Sequence, residues 1–184
     1  MKEKHVAKWY HLLVYPDWFR RIHQRPERFL GELVKPGMCV ADVGCGLGFY
    51  SVLMAEMVGE EGSVLAVDFQ PEMLNWAKRK ASKAGLFDRI EFIQCREDDV
   101  MISEQVDFVL SMWMTHEVAD RSRFFVQIRD MLAPQARYLL AEPKFHVKRK
   151  LYESICGEAE SAGLRMVCEP KVGASFAALF AVSD

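Results

Sequence analysis

The chain lacks several things that would each have set its class. No stretch approaches the ~18 apolar residues that a membrane-spanning helix needs. The N-terminal MKEKHVAKWYH has no continuous apolar run of the kind a signal peptide carries. There is no C-x-x-C pair, and the cysteines (Cys39, Cys45, Cys95, Cys156 and Cys168) are odd in number, which argues against a disulfide framework. An excess of one charge is missing too. The 24 Lys and Arg nearly balance the 26 Asp and Glu, leaving a formal net charge of −2, so the footprint of a general nucleic-acid binder is absent. No repeat, linker or low-complexity segment interrupts the chain. These absences predict a cytoplasmic, membrane-free protein. With 184 residues, 51% hydrophobic and 27% charged, it reads as one globular domain.

What is present centres on VADVGCGLGFYS, Val40 to Ser51. Val40, Ala41 and Val43 suit a strand buried on both faces. Gly44, Gly46 and Gly48 follow at alternate positions, and the apolar run from Tyr50 to Met57 begins a helix. A strand entering a glycine turn and then a helix presents backbone N–H groups to an anion. A dinucleotide fingerprint wants its third glycine at the sixth position. Here that position is Phe49, and Gly48 comes one residue early. Asp42, at the mouth of the strand, would repel a pyrophosphate and attract a cation. S-adenosylmethionine offers an ammonium and a sulfonium to such an acid, and a carboxylate to the loop.

Downstream, SVLAVD predicts a second strand ending in Asp68. An acid about 20 residues past the first glycine suits the two hydroxyls of a ribose; the alternative is an N-cap for the helix opening at Pro71. Phe69 and Met73 would pack on an adenine ring. The helix from Pro71 to Ala84 turns Met73, Leu74, Ala77, Ala81 and Ala84 inward and Lys78, Arg79, Lys80 and Lys83 outward, with Gly85 past its end. IEFIQ is a third strand and VDFVLS a fourth. RSRFFVQIRDML is a helix that stops before Pro134. ARYLLAEPK is a fifth strand, Lys148 to Ala162 a helix, and LRMVCEP with SFAALFAV a closing hairpin. Ahead of all this, residues 1–35 read as two short helices punctuated by Pro16 and Pro26, the latter suited to a first helical position. Most of the cysteines fall in predicted strands or the glycine turn and read as small buried hydrophobes. The sharper alternative, thiolates converging on a soft metal or metalloid, requires a spatial cluster; no metal is expected.

The D-x-G-x-G-x-G string of Asp42 to Gly48, Asp68 and the Asp107 to Ser111 strand together resemble the motifs of class I (Rossmann-like) S-adenosylmethionine-dependent methyltransferases, most closely the small-molecule type of bacteria and archaea. The resemblance covers residues 36–184. It implies a doubly wound α/β fold: a mostly parallel seven-stranded sheet with one antiparallel strand near its edge, helices on both faces, and residues 1–35 as a helical lid. It implies S-adenosylmethionine as cofactor and S-adenosylhomocysteine as product. The cofactor would be held by Asp42, Gly44, Cys45, Gly46, Gly48, Asp68, Phe69, Met73, Ser111 and Met112. The family commonly has Gly-Asp after the third strand for the adenine amine. Cys95-Arg96 stands there instead, so the contact passes to Arg96, Glu97, Asp98 or backbone groups.

Ligands of open α/β sheets bind at the carboxyl ends of the strands, which places MWMTHEV at the methyl acceptor. Trp113 and Met114 would touch it, as would Tyr10, His11, Tyr15 and Trp18 from the lid; the alternative for these aromatics is packing of the helices. His116 and Glu117 form an acid–base pair able to take a proton, or else they cap the loop. SMWM replaces the polar-Pro-Pro-aromatic signature of DNA amino-methyltransferases, and no Pro-Cys exists for attack on cytosine. SMWM also lacks the first glutamate of the arginine methyltransferases, Met112 standing there. The expected partner is a small-molecule acceptor, and the chain a monomer or homodimer. The competing readings are a non-catalytic S-adenosylmethionine sensor or accessory subunit, and a NAD-binding oxidoreductase.

Overall fold

Strands buried on two sides need helices on two sides, and the sequence supplies both. A computed structural model describes residues 21, 22 and 24–183. Its elements in chain order are α1 (Pro26–Leu33), β1 (Cys39–Val43), α2 (Phe49–Val58), β2 (Ser63–Asp68), α3 (Pro71–Ala84), β3 (Ile90–Gln94), β4 (Val106–Met112), α4 (Arg121–Met131), β5 (Leu132–Pro143), α5 (Arg149–Ser161), β6 (Leu164–Cys168) and β7 (Ser175–Val182). The seven strands form one sheet in the order β3-β2-β1-β4-β5-β7-β6. β1 pairs in parallel with β2 and β4, β2 with β3 and β4 with β5, while β7 runs antiparallel to both β5 and β6. The doubly wound sheet with one reversed strand beside its edge, expected from the motif order, is what the chain forms.

Alternation along the strands divides the core. Val40, Val64, Ala66, Phe108 and Leu110 face α1, α2 and α3 through Leu30, Phe49, Met54, Leu74 and Ala81. Ala41, Val43, Leu65, Val67 and Val109 face α4 and α5 through Phe125, Ile128, Tyr152 and Ile155. This parity places side chains in the site as firmly as it does in the core.

Pro26 occupies the first turn of α1, the position its missing N–H suits best. Gly85 ends α3 in a left-handed cap whose N–H reaches back to Ala81 and Ser82. β5 starts earlier than the sequence suggests, at Leu132 directly after α4. A register irregularity opposite Val106 to Phe108 and a left-handed Gln135 (φ 70°) carry the strand past Pro134. The predicted lid falls mainly outside the described residues, of which α1 is its last part.

Candidate functional site

The crossing point between β1 and β4, where the chain reverses its direction of travel through the sheet, opens a cavity of about 400 Å³ at the strands' carboxyl ends. Short backbone bonds build one half of it. The N–H groups of Gly44 and Cys45 both donate to the Val67 carbonyl at 2.8 and 2.9 Å, and the Cys95 N–H donates to the Asp68 carbonyl at 3.1 Å. The Asp68 carboxylate accepts from the Gly46 N–H at 2.8 Å and the Gln70 N–H at 2.9 Å. The loop after β1 is therefore tied to the end of β2, and Asp68 faces the cavity while 8% exposed. Burial raises its pKa, and the N–H groups of Gln70 and Gly46 oppose the rise. Phe69, Met73, Cys45, Arg96, Glu97 and Asp98 border the same space, as does Met112 at the end of β4.

Three residues expected at the cofactor stand behind this wall. Asp42 shares the parity of Val40, so it points toward α2 rather than into the cavity. It is 1% exposed and accepts the Ser51 hydroxyl at 2.6 Å. The Ser51 backbone N–H bonds it as well. α2 begins at Gly48 with no side-chain cap of its own. Ser51 is its third residue, so Asp42 supplies from the neighbouring strand the bond that an N-cap side chain would make. Burial pushes the Asp42 carboxyl up to about 7, the Ser51 hydrogen bond opposing this and the nearby Asp68 adding to it. Gly48 (φ +76°) is there for packing: a Cβ on it would lie 2.7 Å from the Ala77 Cβ of α3. Ser111 has the parity of Val109 and turns into the opposite core, bonded to the Tyr138 hydroxyl at 2.6 Å and Thr115 Oγ1 at 3.1 Å. Asp107, at the entry of β4, accepts the Cys39 N–H at 2.9 Å, at the far end of the sheet from the cavity.

The other half of the cavity is held by a backbone bond from the Trp113 N–H to the Ala141 carbonyl at 2.8 Å and by side-chain bonds between residues far apart in the sequence. Trp113 adopts a left-handed backbone (φ 62°) directly after β4. Its indole N–H donates to Ser175 Oγ at 2.8 Å, and Phe145 packs edge-on against its ring at 5.4 Å. Met114 sits over Gly44, where a Cβ would come within 2.5 Å of its Cγ. Glu117 borders the cavity but His116 does not. The His116 Nδ1 lies 2.5 Å from Glu142 Oε2, and its backbone N–H donates to Glu142 Oε1 at 3.1 Å. Glu142 is fully buried. Burial of the imidazole works against its proton, but the Glu142 hydrogen bond and charge, with Glu117, outweigh it, and the His116 pKa is raised.

Tyr10, His11, Tyr15 and Trp18 lie outside the described residues. From the chain just ahead of α1, Gln24 reaches the cavity and accepts the Tyr50 hydroxyl. Sequence reasoning missed Gln24, Tyr50 and the grip of Glu142. Of these only Tyr50 had a local signal, its place in the first turn of α2 directly after the glycine loop. Of the cysteines, only Cys45 and Cys95 border the cavity. Burial raises both thiols, Cys95 to about 11, which leaves little thiolate for a metalloid.

The cavity fits S-adenosylmethionine: a buried carboxylate at the end of β2 for a ribose, the flat apolar Phe69 and Met73 beside it for a base, and glycine backbone without side chains across it. The comparisons agree. A family profile described as a methyltransferase domain matches residues 34–176. A ubiquinone/menaquinone biosynthesis C-methyltransferase UbiE from Vibrio vulnificus is 25% identical over 139 residues, 72% of this chain and 54% of that protein. The chain thus spans about half the length of the curated relatives it matches. Among solved structures, a SAM-dependent methyltransferase from Aquifex aeolicus is 29% identical, with a TM-score of 0.85 over 95% of this chain and 98% of that one. A TehB-like SAM-dependent methyltransferase from Corynebacterium glutamicum has a TM-score of 0.73 at 18% identity over 96% of this chain and 100% of that one, a likeness of fold alone.

Proposed function

Since this chain belongs to the methyltransferase-domain family, in its class I, S-adenosylmethionine-dependent form, we propose that it transfers a methyl group to a small-molecule acceptor. The observation that carries this is the cavity that joins Asp68 and the Gly44–Gly46 backbone to the Trp113–Glu117 wall in a single space. Gly44, Cys45, Gly46, Asp68, Phe69, Met73 and the 96–98 loop would hold the cofactor. When bound, it supplies an electrophilic methyl group whose bonding pair stays with sulfur on transfer. The chain's task is alignment and exclusion of water, worth up to ~7–11 kcal/mol in favourable cases.

A small acceptor is supported by two things: the size of the cavity, and the UbiE relatives, whose name denotes C-methylation in quinone biosynthesis. Glu117, on the cavity wall, takes the proton an acidic O–H or C–H gives up, with His116 behind it. A thiol or an already anionic acceptor needs no such help.

Calorimetry with S-adenosylmethionine, S-adenosylhomocysteine and NAD, followed by turnover of methyl-labelled donor against a metabolite library, tests this reading. We expect the two sulfur nucleosides to bind and label to move to one acceptor class. Binding of NAD alone would overturn the cofactor assignment. Tight nucleoside binding with no turnover would make the chain a sensor or accessory subunit.

A further inference from the structure

Glu142 is the residue that sequence reasoning passed over and the structure makes most of. It sits near the end of β5 with no exposed surface. A carboxylate taken wholly out of water is costly unless its hydrogen bonds are met. Both of its oxygens are used on one residue, His116: Oε1 for the backbone N–H at 3.1 Å and Oε2 against Nδ1 at 2.5 Å. An ionised carboxylate only accepts, so Nδ1 must carry the hydrogen, and the neutral ring keeps its lone pair on Nε2. The edge-on ring of His146 at 5.0 Å packs against the imidazole. Nε2 is 3.9 Å from Glu117 Oε1, and Glu117 is the member of the group that borders the cavity.

We infer that Glu142 is a positioning residue for proton removal: it fixes the tautomer and tilt of His116 so that Nε2 backs Glu117, making a carboxylate–imidazole–carboxylate chain that runs from the cavity into the core. This rests on the methyl-transfer reading above. The acceptor's X–H pair stays with X, the proton passes to Glu117 and on to Nε2, and the imidazolium so formed lies against the buried Glu142 anion. Catalytic hydrogen bonds often tighten only in the substrate complex, and Nε2 to Glu117 Oε1, at 3.9 Å, is the one gap the relay has to close. Glu142 from β5, Glu117 from the same turn and His146 from the loop after β5 face the ring. A merely structural Glu142 would give the same tautomer, but Glu142→Gln, which can still accept the His116 backbone N–H, would then leave kcat unchanged.

Long-range proton–nitrogen NMR of the full chain with S-adenosylhomocysteine reads the tautomer directly. The expected state of neutral His116 is Nδ1–H; an Nε2–H tautomer overturns the inference without any variant. Glu142→Gln keeps the shape and removes the charge. We expect it to move the His116 titration down by about one pH unit or more. With the acceptor recovered from the metabolite screen, kcat falls about tenfold or more while the acceptor KM and S-adenosylmethionine Kd stay within about threefold. An unmoved titration with an unchanged kcat overturns the role of Glu142. If His116→Asn and Glu117→Gln lose turnover while Glu142→Gln keeps it, Glu142 alone is misassigned. If all three turn over as wild type, proton removal at this cluster is wrong, and the inference falls with it.

Discussion

The two halves of the cavity are held together by different means. On the β1–β3 side the bonds are backbone N–H to carbonyl or to Asp68, between loops that follow adjacent parallel strands. On the β4–β5 side one backbone bond, from the Trp113 N–H to the Ala141 carbonyl at 2.8 Å, is joined by side-chain bonds spanning 26 to 62 residues: His116 to Glu142, Ser111 to Tyr138, Trp113 to Ser175. Backbone bonds tolerate many side chains, so the first half needs only glycine and one acid, and it suits a shared cofactor. The second half depends on the identity of each partner, so it can be rebuilt for a different acceptor at little cost to the first. On the proposed function, one half would take the common reagent and the other would set specificity.

Removing a single partner should strike the two halves unequally. The largest effect is expected for Glu142→Ala, which leaves the backbone N–H and Nδ1–H of His116 without their acceptor. Loss of stability should be about 3–5 kcal/mol by chemical denaturation, two unmet buried donors at roughly 1–3 kcal/mol each. A loss near zero would mean that the β4–β5 half does not depend on side-chain pairing.

Asp42 offers the next test, on the other side. Its folded pKa of about 7 lies above its ordinary value of 3.8 because the carboxyl is buried. The folded state therefore holds a proton that the unfolded state has released, and stability drains away as pH rises from about 4 to about 7. Asp42→Asn lacks this titration. Its stability relative to wild type should climb across that window by on the order of a few kcal/mol, read as the difference in Tm between pH 4 and pH 8. A constant difference would show that Asp42 is ionised in the fold. The same variant distinguishes a cap from a cofactor contact, because S-adenosylmethionine affinity should change less than in Asp68→Ala.

For Asp68→Ala, affinity for S-adenosylmethionine should weaken by roughly 1–3 kcal/mol in calorimetry, through loss of bonds to a partly buried ribose and to the Gly46 N–H. Unchanged affinity would remove the ribose assignment. The smallest effect is expected for Trp113→Phe, which keeps a ring and loses the indole bond to Ser175. Stability should fall by about 1 kcal/mol with cofactor affinity unaltered, and a matching loss of affinity would show that the two halves are coupled.

Much of the fold is legible in the sequence, for a local reason. SVLAVD, IEFIQ and the helix Pro71–Ala84 coincide with the elements observed, because alternation, proline and glycine act over a few residues. The sequence also marks much of the cavity wall on the β1–β3 side, where Gly44, Cys45, Gly46, Asp68, Phe69 and Met73 come together. Asp42, Gly48 and Ser111 carry motif positions, but Asp42 and Ser111 turn into the core and Gly48 packs against Ala77 of α3. Strand parity could have shown this for Asp42 and Ser111 by comparing them with Val40 and Val109. Gly48 had no such signal, since the atom that excludes its Cβ belongs to Ala77.

The amino-acid order by itself determined the succession of strands and helices and the glycine turn that opens the cavity, since those follow from backbone preference and apolar spacing between near neighbours. Tertiary structure alone decided that Asp42 caps a helix, that Glu117 rather than His116 meets the cavity, and that Glu142 stands behind both. Those outcomes depend on which groups meet once distant strands are laid side by side, and burial gives each meeting its energetic weight.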